Sequence, residues 1–152
     1  MNVRRTVWVA LLATGLLSMA GASATVGLAI GYEPSGLMVF SAITETHINE
    51  SIDLRAEAGL ATNEIAGLML ATGTILYRYP MPPVEPYIGL GGGIAMTPPP
   101  FTTGIVAEAV GGVRIMATEA IVLFGQVRYL VRWSEGQVWP GPVFEAGLQF
   151  RF

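Results

Sequence analysis

The last nine residues, Phe144 to Phe152, alternate without a break. Phe144, Ala146, Leu148, Phe150 and Phe152 are apolar, and Glu145, Gly147, Gln149 and Arg151 lie between them. A period of two makes a strand with one apolar and one polar face. A water-soluble protein turns such an apolar face towards a core. A membrane barrel turns it towards lipid and lines its lumen with the polar face. Which of the two applies here is decided by the rest of the chain.

The bulk composition points to a membrane. Of 152 residues, 52% are hydrophobic and only 12% are charged, against about 25% charged in ordinary soluble domains. The length suits one domain. Nineteen glycines disfavour long helices, since each costs about 1 kcal/mol relative to Ala in a helix interior. The uncharged stretch from Pro86 to Ala107 is interrupted by Pro98-Pro99-Pro100, so no clean run of about 18 apolar residues follows the N-terminal segment and a helical bundle is disfavoured. With no cysteine, there is no disulfide framework, thiolate metal site or lipid-bearing cysteine. A net charge of −3 leaves no electrostatic footprint for nucleic acid.

Residues 1–24 read as a cleaved secretory signal peptide. Arg4 and Arg5 precede an apolar segment, Val7 to Leu17, and small residues follow at Ala20-Gly21-Ala22 and Ala22-Ser23-Ala24. The apolar segment is short for a membrane span, which needs about 20 residues. Residues 25–152 are then the barrel domain.

Eight strands are expected there: Thr25–Glu33, Leu37–Thr46, Ile52–Thr62, Ala66–Tyr79, Tyr87–Met96, Ile105–Ala117, Ile121–Trp133 and Phe144–Phe152. The second and fourth are apolar on both faces, so their register stays open. Pro80 to Pro86 reads as a connection, because proline cannot donate to a central ladder. Trp133 to Pro142 also reads as a loop. Most of these strands match the roughly 9–11 residues of a tilted membrane strand, and an even count suits an outer-membrane barrel. The fold class is therefore all-β: an eight-stranded antiparallel transmembrane β-barrel behind a signal peptide. A soluble lipocalin-like barrel fits less well, because the charge-free face is almost uniformly aliphatic and aromatic.

Charge placement fixes which face points inward. Arg55, Arg78, Arg114, Arg128, Arg132 and Arg151 all lie in or at the end of expected strands. Arg on the lipid face costs about 2–4 kcal/mol near the midplane, and several together would exceed the roughly 5–15 kcal/mol stability of a protein. They must point inward, where a buried charge needs a partner or water. The expected interior network is Asp53, Arg55, Glu57, Arg78, Glu108, Arg114, Arg128, Arg132, Glu145 and Arg151. Within it, Asp53 should face Arg78, Arg132 should meet Glu145, and Arg128 should reach Glu145 or Glu108. Tyr32, Tyr77, Tyr79, Trp133, Phe144, Phe150 and Phe152 suit interfacial aromatic girdles.

Catalytic chemistry has a thin basis. His47 is the only histidine, with Ser51, Glu45 and Glu50 close by in sequence, which makes a Ser-His-acid set conceivable. Polar residues are also ordinary in turns. No cluster has metal-ligand spacing, and no cofactor or small-molecule substrate is implied. The run Gly89 to Gly93 lacks the Lys-Ser/Thr partner of a phosphate loop and reads as strand glycines that admit close-packed neighbours.

Three patches carry a family resemblance. Pro86-Tyr87-Ile88-Gly89-Leu90-Gly91-Gly92-Gly93 resembles the "PYxGxGxG" strand of small outer-membrane β-barrels of the OmpA- and OmpX-like group. Val127-Arg128-Tyr129 is similar to the "xRY" of their penultimate strand, and Leu148 to Phe152 to their closing strand. The resemblance implies residence among outer-membrane lipid. It also implies that the barrel-assembly machinery reads Phe150 and Phe152 as an assembly signal. Short first outer loops depart from the family pattern and weaken an adhesive role. No peptidoglycan-binding segment follows, so wall tethering is not expected. An eight-stranded interior holds little more than side chains, which favours a structural or interaction barrel with an ion-paired interior. A narrow ion channel gated by Arg128, Arg132 and Glu145 is the alternative, and a barrel-borne lipid-modifying enzyme comes third.

Overall fold

The alternation is realised as eight antiparallel strands in a computed structural model that describes residues 24–63, 67–97 and 102–152. They are β1 (Ala24–Glu33), β2 (Leu37–His47), β3 (Ile52–Thr62), β4 (Gly67–Arg78), β5 (Val84–Thr97), β6 (Thr102–Met116), β7 (Ile121–Ser134) and β8 (Gln137–Arg151). Each pairs with its sequence neighbours, and β1 pairs with β8 to close the barrel. Closure leaves no long unpaired edge, which is what a bilayer core demands of strands. The expected signal segment, residues 1–24, lies outside the described residues except for Ala24. No helix among the described residues is long and apolar enough to cross a membrane.

The two open registers are now set. Val39, Ser41, Ile43 and Glu45 of β2 point into the lumen, as do Leu68, Leu70, Thr72, Thr74, Leu76 and Arg78 of β4, and all are buried. The outer wall carries Leu28, Ile30, Phe40, Leu54, Ile75, Ile88, Leu90, Ile105, Leu123, Val127 and Leu148, all exposed. The aromatics form two belts on that wall. Tyr32 and Phe144, opposite one another in the β1–β8 register, lie towards one end with Trp133. Tyr77, Tyr79, Phe150 and Phe152 lie towards the other.

Lumen-facing glycines make room for rings. A Cβ on Gly112 would stand 2.6 Å from the Tyr87 hydroxyl, and one on Gly147 would stand 2.7 Å from the Phe124 ring. Gly91 and Gly93 similarly admit the backbone of β4, which approaches where their side chains would be.

Two stretches read as loops are strand. β7 and β8 run on to a two-residue turn at Glu135 and Gly136, both at positive φ (51° and 75°), the hairpin turn whose twist matches its strands. Pro140 and Pro142 are tolerated because β8 before Phe144 pairs only with β7; the β1 pairing stops at Tyr32–Phe144. On such an edge a missing N–H costs no ladder bond. β5 likewise begins at Val84, ahead of Pro86. The Pro86 carbonyl accepts from Tyr79 N–H at 2.9 Å, so its nitrogen faces the same neighbour, just beyond the end of β4.

Connections are short at both ends. Among the described residues, 34–36 and 135–136 join strands at one end, called here the hairpin end. Residues 48–51, 79–83 and 117–120 do so at the other, where Ala24 and Phe152 also lie.

Candidate functional site

The lumen is filled in three levels. Nearest the hairpin end, the Arg132 Nη2 donates to Glu33 Oε1 at 2.7 Å. Below that pair lies an apolar septum of Val39, Ala61, Leu68, Leu70, Ala95, Val106, Leu130 and Val143, all buried in one cluster. Seven strands contribute to it, and β1 presents Gly31 opposite Val39. Successive lumen positions on β7 show the order directly: Gln126, Arg128, Leu130, Arg132.

Beneath the septum, Arg128 is 1% exposed and sits among three carboxylates. Its Nη2 donates to Glu108 Oε2 at 2.5 Å and its Nη1 to Glu145 Oε1 at 3.3 Å. Nη1 also donates to Glu57. Thr74 donates to Glu108, and the Ser41 hydroxyl to Glu145 at 3.2 Å. Charge-assisted bonds of this kind are the stronger class, and one guanidinium here serves three acids on β3, β6 and β8.

Gln126 links this level to the next. Its Nε2 donates to Glu145 at 2.5 Å, while its Oε1 accepts from Arg55 at 2.5 Å and from Tyr87 OH at 2.7 Å. Arg55 and Arg114 lie over the Tyr87 ring, 5.2 and 4.7 Å from its centroid. Both pair with Glu45, at 2.7 and 2.6 Å. Arg114 and Arg78 then share Asp53 Oδ2, each at 2.9 Å, and His47 Nδ1 lies 2.6 Å from Asp53 Oδ1. The network ends at an open mouth of about 310 Å³ lined by His47, Arg78, Glu85, Arg151 and Phe152.

All ten residues singled out from the sequence line the lumen. Asp53 meets Arg78, and Arg128 reaches both Glu108 and Glu145. The expected Arg132–Glu145 pair does not form. The septum separates them, so Arg132 turns to Glu33 and Glu145 to Arg128. Glu33, Glu45, Tyr87 and Glu85 were not anticipated as members; parity was readable for Glu33 and Tyr87, whereas Glu45 lies on a strand of open register and Glu85 in a stretch read as a connection. The conceivable Ser-His-acid set is not assembled. The acid on His47 is Asp53, while the Ser51 backbone is engaged by Asn49 and Arg78. No metal-binding group of three or more His, Cys, Asp or Glu occurs among the described residues.

This architecture is that of small eight-stranded outer-membrane barrels. Neisserial surface protein A is similar over 86% of this chain and 95% of its own, at 19% identity and a TM-score of 0.65. The N-terminal β-barrel domain of Pseudomonas aeruginosa OprF matches 86% of this chain and 97% of its own, at 12% identity and a TM-score of 0.71. The outer membrane enzyme PagL matches 84% and 98%, at 10% identity and a TM-score of 0.56. No protein-family model matches the chain, and no curated protein sequence does.

Proposed function

We propose that this protein is a small barrel of an outer membrane with a closed, ion-paired interior and a structural or interaction role. The septum carries the reading. An eight-stranded lumen is just wide enough for side chains, and here seven strands spend that width on packed aliphatic groups. A water-filled path for ions needs polar walls throughout, and this lumen is interrupted by the apolar septum between its polar levels. The channel alternative, with Arg128, Arg132 and Glu145 as a gate, is disfavoured because the septum lies between Arg132 and the other two. The enzyme alternative draws on the likeness to PagL, yet His47 has no serine hydroxyl as a partner among the hydrogen bonds seen.

Export directed by residues 1–24, residence among outer-membrane lipid, and reading of Phe150 and Phe152 by the barrel-assembly machinery belong to the same proposal. The test is planar-bilayer conductance of the refolded barrel, with folding verified by its heat-dependent gel mobility. Silence is expected from the native chain and equally from Arg128→Ala, since the septum remains in both. Discrete current steps that change in Arg128→Ala would overturn the closed-lumen reading.

A further inference from the structure

Charge is unevenly divided along the lumen. The deep level holds Arg128 against Glu57, Glu108 and Glu145. The level towards the mouth holds four arginines, Arg55, Arg78, Arg114 and Arg151, against three acids, Glu45, Asp53 and Glu85. Three of those arginines have acid oxygens within 2.9 Å. Arg151 does not. The nearest acid oxygen to it is Glu85 Oε2 at 3.9 Å, its other contact is the Met116 sulfur at 4.0 Å, and its Nε is buried without a hydrogen-bond partner among the described residues.

Glu85 is the complementary case. It is 3% exposed, its Oε2 has no hydrogen bond, and both neighbouring guanidinium groups stand off, at 3.6 Å for Arg78 and 3.9 Å for Arg151. The hydroxyl of Thr25, opposite Arg151 across the β1–β8 pair, is buried without a partner too. His47 lines the same mouth, and with Nδ1 engaged by Asp53 its Nε2 is left over. A buried donor or acceptor left unmade carries its desolvation cost. Here a guanidinium without a close acid and a carboxylate without a hydrogen bond both belong to residues that line one open mouth.

We propose that this mouth binds a phosphate group that also carries a hydrogen-bond donor. The phosphate oxygens take the accessible end of the Arg151 guanidinium, whose side chain is 30% exposed, and the donor goes to Glu85 Oε2. Free hydrogen phosphate has this chemistry, and so does a phosphoethanolamine headgroup. The proposal stands on the mouth alone and does not depend on the closed-lumen reading, because binding and conductance are separate readouts.

The experiment is calorimetric titration of the refolded full barrel, in phosphate-free buffer and a sugar-based detergent, with inorganic phosphate and with soluble O-phosphoethanolamine. Saturable binding of at least one is expected, weakened about tenfold or more in Arg151→Gln, which loses a charge-assisted bond. Tighter binding of O-phosphoethanolamine, reduced in Glu85→Gln, identifies the headgroup as source; equal or tighter binding of inorganic phosphate identifies the free anion. Gel mobility establishes that each variant is folded. In the native chain, phosphate should also shift the Arg151 Nε–H resonance, a readout that needs no variant. Absence of saturable heat with both probes, an unmoved Arg151 resonance, or undiminished binding in folded Arg151→Gln overturns the proposal.

Discussion

At the scale of single residues, parity is the informative quantity. Every charged residue inside a strand sits on the lumen side, and that much follows from the cost of an arginine in lipid. Partners are less legible. The Arg132–Glu33 and Arg128–Glu57 contacts span sequence separations of 99 and 71 residues, and nothing local encodes which strands face each other across a lumen. The consequence is sharpest at Arg128. Truncating it to Ala leaves Glu57, Glu108 and Glu145 buried without their shared cation, and breaking a buried pair in this way costs about 3–5 kcal/mol. Urea unfolding from lipid vesicles should show a loss of that size, and an unmoved midpoint would contradict the network's importance. Gly112 and Gly125 make a paired test of packing. Ala at Gly112 meets the Tyr87 ring and the Gly125 carbonyl at 2.6–2.7 Å, whereas Ala at Gly125 meets nothing within 4 Å. The first should destabilise by about 1–3 kcal/mol through overpacking, and the second should leave the same unfolding curve in place.

At the scale of strands, alternation made β1, β3 and β8 readable in sequence and misled where proline intervened. Pro86, Pro140 and Pro142 look like loop residues to a local rule. They are strand residues because each lies where a ladder has run out on one side, and the extent of a neighbouring strand is not a property of the proline's own surroundings. The tight turn at Glu135-Gly136 was hidden for the same reason. The outer wall offers its own test. Leu90, near the middle of β5 and 71% exposed, is a lipid-facing position on this fold. Leu90→Arg should lower stability by about 2–4 kcal/mol in a bilayer. A fully tolerated substitution, measured by the folded fraction on gels after refolding into vesicles, would argue that this wall does not meet lipid.

At the scale of the whole barrel, the eight-strand count, the closed topology and the inside-out polarity were all anticipated, while the septum was not. Three of its eight residues, Val39, Leu68 and Leu70, come from β2 and β4, the strands with apolar side chains on both faces. There, sequence alone could not say whether Val39, Leu68 and Leu70 faced lipid or lumen. An aliphatic residue is welcome in either place; an arginine is welcome in only one. The septum predicts one-sided wetting. The chain has no native cysteine, so single replacements report without background. A membrane-impermeant thiol reagent should label His47→Cys at the mouth and leave Leu130→Cys unreacted in the folded protein. Rapid labelling at Leu130→Cys would mean that water passes the septum.

The brevity of the connections at the hairpin end has a practical consequence. With strands turning at residues 34–36 and 135–136, these two turns offer few native features to compete with a grafted peptide. Lengthening a closed loop is thermodynamically mild, about 0.6 kcal/mol for each doubling. The Gly136 turn, where a Cβ would meet nothing within 4 Å, is thus a natural port for epitope display, carried on a β7–β8 hairpin that joins β1 from Phe144 onward.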